Sequence, residues 1–362
     1  MNVQGVYYKA FSSLSSTVFF GVRLKNYLRT KKSADLLELI HSYYEYEARV
    51  LNLNYEICKS KIVQITDGRT AFNFSGSYTD FDGKPTMILA GDKEYSYSVM
   101  DKNNIPVPRH QFIKNGDFRS ALAFRKNPEE LVVIKPARDT GDSTGVFVGL
   151  KNTAEIVISM FKAGLYGKDV LVEEFVHGTN YRLLFFKGKL LSACSRIPAR
   201  VVGDGNSTIS QLIDQTNFGR MEQGVVVRYR PDSRPLRYKI KIDQQLKETI
   251  ARQGFKLDSV PEKDVIVHLQ NICHWLKGGE YYDVSDRIAP EIIQTCAKAV
   301  ACLGVKLAGV DVIAQDISDP CKGYVINEVN TTPCLLVHYE VQNRDMVKPV
   351  LNFILMDTFG LS

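Results

Sequence analysis

Two short apolar segments near the C-terminus constrain this chain more than any other feature. Gly309-Val310-Asp311-Val312-Ile313-Ala314 sets a bare carboxylate among strand-forming residues, and Tyr324-Val325-Ile326-Asn327-Glu328-Val329-Asn330 does so again. The β-branched runs predict strands over 307–314 and 324–330. Side chains two apart share a face, so Glu328 and Asn330 point the same way. A carboxylate left unpaired in such a strand costs several kcal/mol, so each acid needs a cation or water. If the strands are neighbours, Asp311, Glu328 and the Asn330 amide oxygen form a hard-oxygen set suited to Mg²⁺, with substrate phosphates completing the shell. The alternatives are a nearby arginine or a solvent-facing position.

The remainder reads as an α+β protein of several lobes. Its 362 residues are 44% apolar and 24% charged, enough to bury a core without disulfides or a structural metal. Ser33 is a candidate cap for a helix carrying Leu36, Leu37, Ile40, Tyr43, Tyr44 and Leu51 at helical spacing. Strands are expected at 55–58 and 62–66, then a boundary in the Gly/Ser/Asp-rich stretch 75–84. Asp92 caps a helix ending before Ile105-Pro106-Val107-Pro108, where proline stops it. Helices at 117–126 and 153–165 alternate with strands at 131–135 and 146–150. Strands at 170–175, 181–186 and 190–196 follow, then helices near 208–216, 244–253 and 290–303, and a last helix over 346–358. The domain reading is 1–90 as a small N-terminal α/β lobe, 91–175 as a second lobe and 176–362 as the largest. Seven scattered cysteines without a CxxC pair, no early signal-peptide pattern and no membrane-length apolar run lead us to expect a soluble cytoplasmic protein with reduced thiols.

Local motifs need their context. Gly141-Asp142-Ser143-Thr144-Gly145 matches GxSxG formally, but a nucleophile elbow leads into a helix and this loop leads into Val146-Phe147-Val148, a strand. A strand–loop–strand of small residues can instead fold over phosphates, or be an ordinary hairpin. Lys135 ends an apolar strand just before it and could reach a phosphate or snorkel to solvent. Neither GxxxxGK[ST] nor GxGxxG occurs. The net charge of +6 is too mild to mark a nucleic-acid binder. Arg220 to Lys241 concentrates seven Lys/Arg against two acids, with only Tyr229 and Tyr238 as aromatics.

Taken in order, these stretches resemble the ATP-grasp superfamily, in particular the ATP-grasp module of cyanophycin synthetase and of bifunctional glutamate–cysteine ligase/glutathione synthetase. The resemblance runs from about Leu89 to Leu336. Its carriers are Gly91-Asp92-Lys93, Val133-Ile134-Lys135-Pro136 with the glycine loop, and Val170 to Gly178 leading to Tyr181-Arg182. Ser195 to Ala199, Val202 to Asn206 with Thr208 to Ile213, Leu307 to Asp311 and Ile326 to Asn330 complete it. It implies two α+β lobes gripping ATP between antiparallel sheets. Lys93 and Lys135 would contact the phosphates, with the 139–145 loop (Gly141, Ser143, Thr144, Gly145) over them. Glu173 and Glu174 with Phe175 and Val176 would form the adenine side. Arg182 and Arg196 would face the γ-phosphate and the acyl group, and Asp311, Glu328 and Asn330 would hold Mg²⁺. Two departures stand out. Asn180 falls where the family carries an acidic residue for the ribose, and 272–277 lacks the Asn-rich segment that relatives carry before the paired glycines.

The resemblance implies an ATP-dependent, ADP-forming carboxylate–amine ligase acting through an acyl phosphate. Its partners would be a small carboxylate and an amine, amino acid or peptide, with no nucleic acid and no membrane; a homo-oligomer is compatible with it. The alternatives are a non-catalytic nucleotide-binding module and a binder of an anionic partner through 220–241.

Overall fold

The computed structural model describes residues 40–58, 62–138, 144–222, 239–274, 277–343 and 346–361. The expected Ser33 cap, Gly141 and Ser143 of the loop, and most of the basic stretch lie outside the described residues. The chain divides into two compact units, one of residues 1–78 with 355–362 and one of residues 79–354.

In the first unit, helix α1 (40–50) lies with the strands β1 (Asn54–Ile57), β2 (Val63–Thr66) and β3 (Ala71–Ser75), which join β4 (Tyr78–Thr79) in one sheet. Alternation in β3 turns Phe72 and Phe74 inward, and Tyr44 of α1 stacks on Phe74 at 3.7 Å.

The second unit holds two larger antiparallel sheets. The four-stranded one runs β5 (His110–Lys114), β8 (Asp169–Glu174), β6 (Val132–Pro136), β7 (Phe147–Leu150). Helices α4 (Phe118–Ala123) and α5 (Thr153–Ala163) supply Ala121, Ile156 and Met160 to its core, and α5 is closed by a capping box of Asn152 and Glu155. Strands β6 and β7 pair antiparallel on either side of the GxSxG loop. No helix follows that loop directly, so the elbow geometry is absent.

The five-stranded sheet runs β13 (Glu280–Asp283), β10 (Lys189–Ile197), β9 (Thr179–Phe186), β14 (Leu307–Ala314), β15 (Tyr324–Asn330). Period-two alternation splits its two faces. Tyr181, Leu183, Phe185, Ala308, Val310 and Val312 enter one core with Ile292, Cys296 and Val300 of helix α8 (Pro290–Cys302). Asn180, Arg182, Gly309 and Asp311 are thereby turned to the other face. Helices α2 (Lys84–Gly91) and α3 (Lys93–Lys102) precede the first of these sheets, and Asp92 Oδ1 caps α3 by accepting from the Glu94 and Tyr95 N–H groups.

A smaller third cluster joins β11 (Arg200–Val202) and β12 (Ile266–His268) to α6 (Ile209–Glu222) and α7 (Gln244–Arg252). Helices α9 (Leu336–Tyr339) and α10 (Val350–Phe359) end the chain. The last helix starts later than its apolar pattern suggests, because Pro349 disfavours helical backbone at Lys348. Among the described residues no helix is long and apolar enough to cross a membrane.

Candidate active site

One residue from each strand of the five-stranded sheet forms a transverse row. The register pairs Asp283 with Cys194, Cys194 with Arg182, Arg182 with Asp311, and Asp311 with Glu328. Directly opposed residues stand about 4.5–5.5 Å apart at Cβ, so the row sets cation against anion at its centre and two carboxylates together at its β15 end.

Asp311 is the hub. Its Oδ1 lies 2.6 Å from Arg182 Nε, while its Oδ2 accepts from Arg182 Nη2 at 3.2 Å and Arg196 Nη1 at 3.1 Å. Arg196 reaches over from the next position along the face, and its Nη2 donates to the Cys273 carbonyl at 3.5 Å. Burial opposes the Arg196 charge, but Asp311 with Tyr281 and the two nearby thiols outweighs it, and its pKa rises. Asp204 serves its own turn instead, accepting from the Asn206 and Ser207 N–H groups, which hold its carboxyl down to about 2. Gly309 makes room for the guanidinium of Arg182: a Cβ there would stand 2.4 Å from Arg182 Nη1.

At the β13 end of the row, buried His338 of α9 meets Ser192 Oγ at 3.0 Å through Nδ1, and Ser192 in turn donates to Asp283 Oδ2 at 3.4 Å. Burial, with the Arg182 charge, pushes this imidazole down to about 3, so it is neutral across the ordinary pH range.

At the other end of the row, β15 is bulged. Asp311 pairs with Glu328 but Val312 pairs with Ile326, leaving Asn327 as the extra residue. The bulge lets consecutive residues Asn327 and Glu328 both meet α3. Lys93 and Tyr97 lie one turn apart on that helix. Lys93 Nζ stands 3.5 Å from Glu328 Oε1, and the Tyr97 hydroxyl stands 2.9 Å from the Asn327 carbonyl oxygen.

From the four-stranded sheet, Lys135 of β6 arrives at the same place. Its Nζ lies 2.8 Å from Glu173 Oε1, 3.3 Å from Asn327 Oδ1 and 3.4 Å from the Tyr97 oxygen. Glu173 and Lys135 are 2% and 4% exposed, so this is a buried ion pair. Glu174 points elsewhere, accepting from the Arg109 N–H at 2.9 Å. Phe175 spends its N–H on the Leu131 carbonyl, and Val176 lies in the β8–β9 connection. Asn180 is exposed on β9, opposite Arg196. Thr144 and Gly145 form a turn entering β7, where Gly145 has φ +73° and packs its backbone on Pro136.

The structure therefore brings Lys93, Lys135, Arg182, Arg196, Asp311 and Glu328 to one region bounded by both sheets. It leaves Glu174 on a separate arginine. Asn330 adjoins the row two residues beyond Glu328, its Nδ2 donating to the Gly309 carbonyl at 3.3 Å, which leaves the amide oxygen for a cation. Two carboxylates and an amide oxygen fit Mg²⁺, which keeps several waters and takes one or two carboxylates. Among the described residues no group of three His, Cys, Asp or Glu side chains forms a metal site without such help. Tyr97 and Asn327 were missed by sequence reasoning. Asn327 adjoins Glu328, but only the bulge makes it face the site.

Comparison with known proteins bears on this arrangement. A bifunctional glutathione synthetase from Pasteurella multocida superposes with a TM-score of 0.55 over 85% of this chain and 42% of its own, at 22% identity. The chain has the ATP-grasp fold. Its sequence is 33% identical over 304 residues to cyanophycin synthetase of Synechocystis sp., covering 81% of this chain and 33% of that protein. It is 25% identical over 299 residues to a glutathione biosynthesis bifunctional protein of Clostridium perfringens, covering 81% of this chain and 37% of that one. The chain thus spans about a third of the length of these curated relatives. No family model matches it.

Proposed function

We propose that this chain is a cytoplasmic, Mg²⁺- and ATP-dependent ligase joining the carboxylate of an amino acid or peptide to an amine, with release of ADP and phosphate. The observation that carries the proposal is the gathering of four cations around the Asp311–Glu328 strand pair: Arg182 and Arg196 meet Asp311, Lys93 of α3 meets Glu328, and Lys135 of the four-stranded sheet, paired with Glu173, reaches Asn327 beside Glu328. Similarity to cyanophycin synthetase and to glutathione-forming enzymes supports it.

A carboxylate resists amines because its charge repels nucleophiles and oxide does not leave. Attack of a carboxylate oxygen on the γ-phosphorus breaks the bond to ADP and leaves an acyl phosphate. The amine then adds to the carbonyl carbon, phosphate departs with the former carboxylate oxygen, and the amine proton passes to solvent. Transfer of this kind needs positioning and charge neutralisation more than covalent help. Lys93 and Lys135 would bind phosphate oxygens, with adenine beside Glu174, Phe175 and Val176 and ribose near Asn180. Asp311, Glu328 and Asn330 would hold Mg²⁺, whose charge offsets that of the transferring phosphoryl group. A guanidinium has five N–H donors and Asp311 takes only some of them, so Arg182 and Arg196 keep donors for the phosphoryl oxygens and the oxyanion of the tetrahedral adduct.

A screen of amino acids in pairs, following ADP release with mass detection of products, tests the proposal. We expect ADP formation only when Mg²⁺ and a cognate carboxylate are both present, and an amide product when the amine is added. AMP with pyrophosphate as products, or ADP release indifferent to every carboxylate, would overturn it.

A further inference from the structure

Tyr97 belongs to none of the roles above, yet its side chain is almost fully buried, at 1% exposure, and its hydroxyl sits at the centre of the Lys135 cluster. The oxygen lies 2.5 Å from Glu173 Oε1, 2.9 Å from the Asn327 carbonyl and 3.4 Å from Lys135 Nζ. Burial and then the Glu173 charge push the phenol well above its ordinary value, so it keeps its proton and is a donor. The shorter contact points that proton at Glu173.

An ammonium has three N–H donors. The three acceptors around Lys135 Nζ, from Glu173, Asn327 and Tyr97, match them one for one. A lysine so satisfied, beside a buried carboxylate, has little to offer a phosphate unless one partner is weak. The Glu173 pull is the strongest of the three, and a second donor on the same oxygen spreads its charge over two partners.

We propose that Tyr97 is a positioning residue that tunes Lys135 through Glu173: by donating to Glu173 Oε1, it loosens the hold of that carboxylate on the ammonium and leaves Lys135 able to turn an N–H toward a nucleotide phosphate. The Tyr97 oxygen itself is the acceptor given up in that exchange, being the most distant of the three. The inference rests on the ATP-dependent reading for the identity of the anion, but the coupling within the cluster does not.

A double-mutant cycle of Tyr97→Phe and Glu173→Gln, in the full chain, separates these. Read by calorimetric binding of Mg·ATP, Y97F is expected to weaken affinity about tenfold, the size of one hydrogen bond to a charged group, raising KM for ATP with kcat little changed. In the E173Q background the same substitution should change affinity less than twofold, because the carboxylate it acts through is gone. An equal loss in both backgrounds, or none in either, would overturn the proposal. The same cycle read by thermal melting without nucleotide reports the coupling independently: Y97F should lower Tm more in the Glu173 protein than in the E173Q protein. Equal Tm losses in both would overturn it, whereas wild-type protein that shows the melting coupling but binds no nucleotide would count against the ligase function alone.

Discussion

The two sheets that face the candidate site hold charge in different ways. On the five-stranded sheet, Asp311 shares its two oxygens between Arg182 and Arg196, at the centre of a row set by strand register. On the four-stranded sheet, Lys135 and Glu173 form a single buried pair completed by Tyr97 and Asn327 from two other elements. Two guanidiniums meet the one hub carboxylate, which leaves N–H donors for a substrate. The cluster balances one cation against one carboxylate, with each N–H of Lys135 given an acceptor. A site assembled from both would take its stiffness from the cluster and its reacting groups from the row.

The largest effect should come from breaking the closed pair. Lys135→Met leaves Glu173 buried without its counter-charge, a loss of about 3–5 kcal/mol in stability, to be read by urea unfolding. A loss below about 1 kcal/mol would mean the pair is wetter than its burial implies. The next concerns the row. Arg196→Lys keeps the charge but not the planar fork, and one such donor is worth about 2.7–4 kcal/mol of barrier, or a 10²–10³ drop in turnover. Melting should move little, and a variant that melts several degrees lower yet turns over fully when folded would make Arg196 structural. Gly309→Ala sharpens the comparison, since its Cβ would strike Arg182 Nη1. We expect a destabilisation of about 1–3 kcal/mol from overpacking, with turnover falling as Arg182 is displaced. Wild-type behaviour would show the guanidinium to be freer than its position implies.

Near neutral pH the smallest expected effect is that of a buried histidine, which grows only as the solution is acidified. His338 titrates near 3 when folded and near 6.5 when unfolded, so the unfolded chain binds more protons between these values. Its contribution to stability is complete above about 6.5 and is lost as pH falls toward 3. The melting temperature should therefore decline across that window, and His338→Gln should flatten part of the decline. An unchanged slope in the variant would mean the imidazole is not buried neutral.

The row was far more legible in the sequence than the cluster. Strands 307–314 and 324–330 appear with the bounds their β-branched runs suggest, and the shared face of Glu328 and Asn330 follows from period-two geometry alone. Asp311 did find arginine partners, one of the two alternatives open for it, because Arg182 is its register neighbour on β9. Strand β13 escaped notice because Glu280-Tyr281-Tyr282-Asp283 carries no β-branched residue and follows two glycines, while β5 hides behind Pro106 and Pro108. The cluster was invisible for a deeper reason. Tyr97 meets Glu173 and Asn327 from 76 and 230 residues away, and only a bulge turns Asn327 toward it. No local pattern encodes such a contact.

If the row serves transfer of a phosphoryl group to a carboxylate, the oxygens of that carboxylate carry the record of it. Once a cognate carboxylate is known, it can be supplied with ¹⁸O in both oxygens, and the phosphorus-containing products of a Mg²⁺- and amine-dependent turnover examined by mass spectrometry. One labelled oxygen should appear in inorganic phosphate, with ADP unlabelled, because the acyl phosphate is broken at its carbonyl carbon. Label in AMP, or phosphate carrying none, would contradict it.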